Sequence, residues 1–477
     1  MGFLNKIEKK WNDFVLNKLQ KQILNNTEKY INKKHSLKKW VPGKDWVQYS
    51  GPYFNSKEYK AAVQSLLTEW LIFGQKGREF EIEFAEHLGK EFGILTNSGS
   101  SANLLMVSAL KSQRLKNHKK LHLKPGAKFI TPVVCFPTTI NPLIQNGFKP
   151  VFVDVTLPNL HIDLDQVEEL LKKDKKKEIK GIIFAHVLGN PPDMDRLLKL
   201  IDKYNLVFLE DSCDALGSSW DGKALGSFGD LSTCSFFPAH HMTMGEGGFV
   251  ATNDPQVRMA LASLRDWGRA CYCNSNKPGC VIDGTACGMR FNSWFSGQKD
   301  IIFDHRYVFD EIGYNLKPLE LQACMGLEQI KKLDEMHSKR KDNFKRLHEI
   351  FSKYPNLFHL PTYYDKADVS WFGFLITLKD NERFTKNQLV DHLEAAKIQT
   401  RSYFTGNALF HPAYADIAKE YKDPRNEFPN ATKSTIDTFF MGVWPGMTEK
   451  QLDYIEETLH KFCCSHLNIE ERKNFNK

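Results

Sequence analysis

The chain has 477 residues, 42% of them hydrophobic and 26% charged, a balance that excludes a disordered or low-complexity protein and leaves room for two domains. Its net charge of +8 is modest for this length and sits mostly in the lysines of the first 39 residues, so nothing in it requires a nucleic-acid partner. No run of about 18 apolar residues occurs and the N-terminus lacks the apolar core of a signal peptide, so a soluble cytoplasmic protein without an integral membrane segment is expected.

The first segment places Trp11, Phe14, Val15, Leu19 and Ile23 at spacings of mostly three and four against a lysine-rich face. This predicts an amphipathic helix over residues 1 to about 40, within an N-terminal arm of residues 1–50, packed on the protein's own body or on a partner subunit. A helix over residues 57–70 follows, and Gly74-Gln75-Lys76-Gly77 reads as a break in the chain. Residues 92–96 form a strand that runs through Asn97-Ser98-Gly99-Ser100-Ser101 into an apolar helix, residues 102–110. Strand, small polar turn and helix start can hold a phosphate on first-turn amides and hydroxyls without a lysine, although the same pattern also serves as a simple N-cap.

Strand-like residues 128–132, 150–154 and 181–185 then alternate with helical residues 137–145, 164–171 and 194–204, which predicts a mainly parallel sheet covered on both faces. Functional residues belong at the carboxyl ends of such strands. Phe136 falls at one of them, either as a core residue or as a ring that stacks on a planar heteroaromatic. Residues 206–211 form a buried strand that ends in Asp211, with Cys213 and Asp214 just beyond. Ser235-Phe-Phe-Pro-Ala-His240-His241 is a strand entering a polar turn, which leaves through Gly245, Gly247 and Gly248 into a second strand and sets an imidazole where backbone can approach a ligand. After residue 320 the pattern changes to a long helical stretch, a strand over residues 370–377, a helix over 386–396 and a closing helix over 449–462, which suggests a smaller α+β unit.

Ten cysteines without export features point to buried thiols, catalysis or metal binding. Cys271-Tyr272-Cys273 is followed by Cys280 and Cys287, and Cys213 lies 58 residues upstream of Cys271. Four thiolates suit zinc or an iron–sulfur cluster, and irregular spacing without paired Cys-x-x-Cys knuckles favours iron and sulfur.

The stretch from Ser235 to Gly248 resembles the active-site loop of the pyridoxal-phosphate sugar aminotransferases of the DegT/DnrJ/EryC1/StrS family, where a serine, four residues and a lysine precede Gly-Glu-Gly-Gly. His240 stands at the lysine position. The resemblance extends over nearly the whole chain after residue 40, including Asn97-Ser98-Gly99-Ser100, Gly313-Tyr-Asn315-Leu-Lys and Arg401-Ser-Tyr-Phe-Thr-Gly-Asn407. It implies an α/β, fold type I, aspartate-aminotransferase-like protein. Residues 51–320 would form a large cofactor domain with a cysteine-bearing insert at about 268–300, and residues 321–477 a small C-terminal domain.

By the same resemblance, Gly99 and Ser100 bind the cofactor phosphate, Phe136 stacks on the ring and Ser235 holds the cofactor. Asp211 keeps the pyridine nitrogen protonated, making the ring an electron sink. Asp214 is also a cofactor contact, at a position where relatives commonly carry His or Gln. Asn315 reaches the partner's cofactor phosphate in a homodimer. Imidazole cannot form a Schiff base but can serve as general base, so His240 points to the sugar 3-dehydratase branch, which uses pyridoxamine phosphate (PMP) to remove a hydroxyl from a nucleotide-linked 4-keto-6-deoxy sugar. Cys213, Cys271, Cys273 and Cys287, with Cys280 the rival fourth ligand, match a subgroup that acts on a CDP-linked sugar. That subgroup passes electrons from an NAD(P)H-dependent flavin/iron–sulfur reductase through a two-iron, two-sulfur cluster, toward 3,6-dideoxy sugars for surface polysaccharide. A GDP-4-keto-6-deoxymannose 3-dehydratase without a cluster, an ordinary sugar aminotransferase and a silent regulatory or electron-carrying protein are the alternatives.

Overall fold

The computed structural model describes residues 2–271, 290–380 and 382–466, with side chains from residue 8 onward. Helix α1 (Gly2–Leu37) packs its C-terminal half on α2 (Ser56–Leu66), where Ile31 is buried and Lys60 Nζ lies 2.7 Å from Glu28. Of the two expected packings, on the protein's own body or on a partner subunit, its N-terminal half does not take the first: Trp11, Phe14 and Leu19 are exposed. The reason is geometric, since the ridge Trp11, Val15, Leu19, Ile23 advances about 40° per step around a helix of 3.6 residues per turn and one short partner cannot follow it. Past this helix, Val47 N donates to Lys397 O at 2.7 Å, which ties the segment to the C-terminal unit.

The expected break at residues 74–77 is instead a helix start. Gly74 caps α3 (Gln75–His87) without a side-chain bond, and the buried Glu320 carboxylate accepts from Gly74 N at 2.7 Å, Lys76 N at 2.6 Å and Gly77 N at 3.2 Å. A carboxylate 243 to 246 residues away thus satisfies the orphan amides and opposes the positive end of the helix, a solution that local sequence cannot reveal.

Seven strands form the central sheet: β1 (Phe92–Thr96), β2 (Lys128–Pro132), β3 (Lys149–Val153), β4 (Ile179–Ala185), β5 (Val207–Asp211), β6 (Leu231–Ser235) and β7 (Gly248–Thr252). Their order is β1-β7-β6-β5-β4-β2-β3. The run from β6 to β3 is parallel throughout, and β7 lies antiparallel to both β1 and β6. Helices α4 (Gly99–Ala109) and α8 (Pro255–Arg265) cover one face through Leu105, Met106 and Leu261, while α6 (Leu164–Lys173) and α7 (Met194–Tyr204) cover the other through Val167, Leu197 and Ile201. Helix α5 (Pro137–Gln145) follows β2. Burial on both faces explains why these strands read as continuous apolar runs.

The long helical stretch is two helices, α9 (Glu320–Ile330) and α10 (Leu333–Ser352), leading to a smaller antiparallel sheet. That sheet holds β8 (Phe358–His359), β9 (Gly373–Leu378), β10 (Thr400–Ser402) and β11 (Thr438–Gly442) in the order β8-β9-β11-β10, with α11 (Lys386–Ala395) and α12 (Glu449–His466) alongside. No described helix is long and apolar enough to cross a membrane.

Candidate active site

The carboxyl ends of β1, β2, β4, β5 and β6 open onto one cavity of about 630 Å³, closed on the far side by the C-terminal unit. Gly99, Ser100, Phe136, Asp211, Asp214, Ser235 and His240 all line it. Asn315 does not. It is exposed and pairs with Asp266 in an isolated bridge, outside the cavity of its own chain.

The turn after β1 faces the cavity for a structural reason. Ser98 caps α4, its Oγ accepting from Ser101 N at 3.1 Å, and the helix begins at Gly99, three residues earlier than the apolar pattern indicated. The first-turn amides of Gly99 and Ser100 have no intrahelical partner. A Cβ at Gly99 would sit 2.4 Å from Ser235 Cβ, so glycine lets the helix start and the end of β6 close together into a cradle.

Asp211 is almost fully buried at the end of β5. Its Oδ2 accepts from Asn103 Nδ2 and Thr139 Oγ1, each at 2.8 Å, and its Oδ1 from Cys213 N at 3.2 Å. Asn103 is itself fixed by Thr233 Oγ1 at 2.6 Å. A carboxylate held this firmly on a cavity wall suits a protonated ring nitrogen. Its neighbour Glu210 turns to the other side, 2.9 Å from His186 Nε2 and accepting from the amides of Gly226, Phe228 and Gly229, and so organises a loop. Phe136 is 51% exposed inside the cavity, which removes the core reading of that residue. These features fit a pyridoxal-type cofactor.

The two adjacent histidines separate sharply. His240 reaches the cavity, with Nδ1 buried 3.3 Å from Asp214 Oδ1, close enough for an ion pair but not aligned as a hydrogen bond. That contact favours the proton on Nδ1 and leaves Nε2 as the open, basic ring nitrogen. Phe372 lies against the ring at 5.3 Å. His241 points inward, with Nε2 2.8 Å from Ser370 O, and burial, with Arg340 and His337 nearby, pushes its pKa well down. It is a neutral scaffold residue. Among the described residues lining the cavity, none is a lysine.

Sequence reasoning missed Arg340. This fully buried guanidinium donates to His240 O at 3.0 Å, Trp371 O at 3.2 Å and Phe372 O at 3.3 Å, so it ties the histidine turn to the C-terminal unit. Burial pulls its pKa down to about 9, with Asp214 opposing. No local pattern marks such a residue on a helix otherwise rich in surface lysines.

Cys213 lines the cavity two residues beyond Asp211, whereas Cys271 lies outside the lining. Burial and Asp211 push the Cys213 thiol well up, so a metal would have to displace its proton. Cys273, Cys280 and Cys287 lie outside the described residues.

A profile of the DegT/DnrJ/EryC1/StrS aminotransferase family matches residues 52–460. The chain is 40% identical over 446 residues, 94% of its own length and 98% of the relative's, to the lipopolysaccharide biosynthesis protein RfbH of Salmonella typhimurium. It is 40% identical over 423 residues, 89% and 88% of the two lengths, to dTDP-4-dehydro-2,6-dideoxy-D-glucose 3-dehydratase of Saccharopolyspora spinosa. Among solved structures, the E. coli GDP-4-keto-6-deoxy-D-mannose-3-dehydratase with bound hydrated PLP superposes with a TM-score of 0.72 at 28% identity, covering 87% of this chain and 99% of that one.

Proposed function

This chain belongs to the DegT/DnrJ/EryC1/StrS aminotransferase family, and we propose that it is a PMP-dependent 3-dehydratase of a nucleotide-linked 4-keto-6-deoxy sugar, with a CDP-linked sugar as substrate. The observation that carries this reading is the cavity itself: an imidazole, backed by Asp214, stands at the position where the aminotransferase loop it resembles carries a lysine, and no described lining residue is a lysine.

When bound, PMP supplies an amine for the sugar ketone and a ring that accepts the electron pair released at its C4′ carbon. Gly99, Ser100 and Ser235 would hold its phosphate, Phe136 would cover one face of its ring, and Asp211 would keep its nitrogen protonated. His240 Nε2 would accept the C4′ proton, with Asp214 holding the ring in the tautomer that leaves this nitrogen open. Phe372 and Phe404 line the same cavity as apolar walls, and Phe372 lies 5.3 Å from the His240 ring.

Deoxygenation beyond dehydration needs single electrons. Cys213, Cys271, Cys273 and Cys287, with Cys280 the rival fourth ligand, would hold a two-iron, two-sulfur cluster that delivers them from an NAD(P)H-dependent flavin/iron–sulfur reductase. The place of Cys213 on the cavity wall supports this reading. A homodimer is supported by exposed apolar side chains on either side of exposed Asn315 in the chain, Ile312 at 97% and Leu319 at 48%. A second copy covering them would bring Asn315 to its partner's cofactor phosphate.

The decisive experiment offers the protein and PMP a CDP-linked or a GDP-linked 4-keto-6-deoxy sugar and follows loss of the C3 hydroxyl. The CDP-linked sugar should be dehydrated. Preference for the GDP sugar replaces the substrate, and an aminated sugar formed with PLP and an amino donor replaces the reaction.

A further inference from the structure

The C-terminal wall of the cavity carries a charge that none of these roles uses. Arg401, in β10, lines the cavity and stays exposed, with Nη1 donating to Thr400 O at 2.7 Å and the guanidinium 3.9 Å from the centre of the Tyr49 ring. Among the described residues it forms no ion pair, and it is the sole Lys or Arg among those lining the cavity. Three carboxylates, Asp211, Asp214 and Glu246, line it too. An anion entering this space away from the α4 amides would meet these carboxylates, and Arg401 is the cationic side chain of the described lining that can receive it.

The platform beneath Arg401 is rigid. Tyr49 N donates to Gln399 Oε1 at 3.1 Å, and the Tyr49 ring meets Phe440 edge-on at 6.4 Å. A Cβ at Gly442 would lie 1.8 Å from Tyr49 O, so this backbone is pressed directly against β11. A stacked guanidinium has little side-chain freedom left to lose, and its unused N–H donors form the planar fork that matches phosphate oxygens.

We infer that Arg401, stacked on Tyr49, binds the diphosphate of the nucleotide-linked sugar and so selects nucleotide-linked over free sugars. This rests on the reading under Proposed function. The cofactor's phosphate is the other phosphate in the site, but the α4 amides serve it, so the two assignments can be separated.

The test compares wild type with Arg401→Ala and Arg401→Lys in three assays: CDP binding by calorimetry, cofactor loading by absorbance titration with pyridoxal phosphate, and kcat and KM for the 4-keto sugar. Arg401→Ala should bind CDP about 10- to 100-fold more weakly, from the loss of hydrogen bonds to a charged group. KM should rise by a similar factor, with kcat and cofactor loading unchanged. Arg401→Lys should recover only part of the loss, because it keeps the charge but not the fork or the stack. Unchanged CDP affinity in Arg401→Ala overturns the inference, as does a parallel fall in cofactor affinity, which would give Arg401 to the cofactor phosphate. If wild type binds no nucleoside diphosphate and turns over no nucleotide sugar, the functional reading itself has failed, a result distinct from either.

Discussion

Removing the imidazole at position 240 or at position 241 should have opposite consequences, although the two residues are adjacent and chemically identical. His240→Asn removes the open ring nitrogen that the described lining of the cavity presents, and general bases contribute about 10²- to 10⁴-fold. Exchange of the C4′ hydrogens of bound PMP with deuterated solvent should fall by at least about 100-fold. His241→Leu instead strips a hydrogen bond from Ser370 O, now held at 2.8 Å. Leaving a buried carbonyl short of its donor costs about 1–3 kcal/mol, and the Ser218 hydroxyl 3.4 Å from the same oxygen places the loss at the low end. The His241 variant should therefore unfold at lower denaturant while its folded fraction exchanges C4′ hydrogens at nearly the wild-type rate. Mass spectrometry of recovered PMP measures the exchange, and urea titration of the same preparations measures the stability. Equal loss of exchange in two folded variants would refute the assignment of base and scaffold.

Asp214→Asn should keep the cofactor but slow C4′ exchange by about 10- to 100-fold, less than loss of a well-aligned partner would, because the 3.3 Å contact is not a linear hydrogen bond; unchanged exchange would show that Asp214 does not orient His240. Anaerobically purified Cys287→Ala should lose iron and sulfide yet still dehydrate the sugar, while Cys280→Ala keeps both; the reverse pattern makes Cys280 the fourth ligand, and zinc without iron in the wild type removes the electron-transfer step. Acid should destabilise the fold early. Burial pushes His161 and His337 down to about 3 and His241 well below its ordinary value. The unfolded chain takes up protons below about pH 6.5 that the native state refuses, so stability is complete above that pH and falls below it by about 1.4 kcal/mol per unit for each such histidine. A urea midpoint unchanged between pH 7.5 and 5.5 would contradict this.

The parallel strands and their helices were legible in the sequence because burial on both faces writes itself as apolar runs, and Met194–Tyr204 begins and ends where its pattern does. The cavity residues were legible for another reason: Gly99, Asp211 and Ser235 all sit where a buried strand gives way to small or polar residues. Contacts across long sequence separations were not. Glu320 as the cap of α3, Asn103 and Thr139 as the clamps of Asp211, and Arg340 beneath His240 are ordinary residues in their own neighbourhoods. Each becomes informative only once folding brings a distant backbone amide, carboxylate or carbonyl to it. The same holds for the first half of α1, whose spacing showed an apolar ridge but not that this ridge would turn away from its own chain.

On the proposed reading, aspartate at position 214 works as one unit with histidine at position 240. A lysine there needs only its own flexible amine to reach the cofactor, whereas an imidazole is short and has two nitrogens that compete for one proton. A neutral or basic neighbour at position 214 would leave the tautomer open or discourage the protonated ring. A carboxylate 3.3 Å from Nδ1 favours the proton on that nitrogen and leaves Nε2 free to face the cavity. Arg340 completes the arrangement by gripping the backbone carbonyl of the same residue at 3.0 Å, so the ring is held from both ends. On the proposed reading, a site without a covalent anchor keeps its base in place with two opposite charges, from Asp214 just after β5 and from Arg340 on α10, one acting on the side chain and one on the backbone.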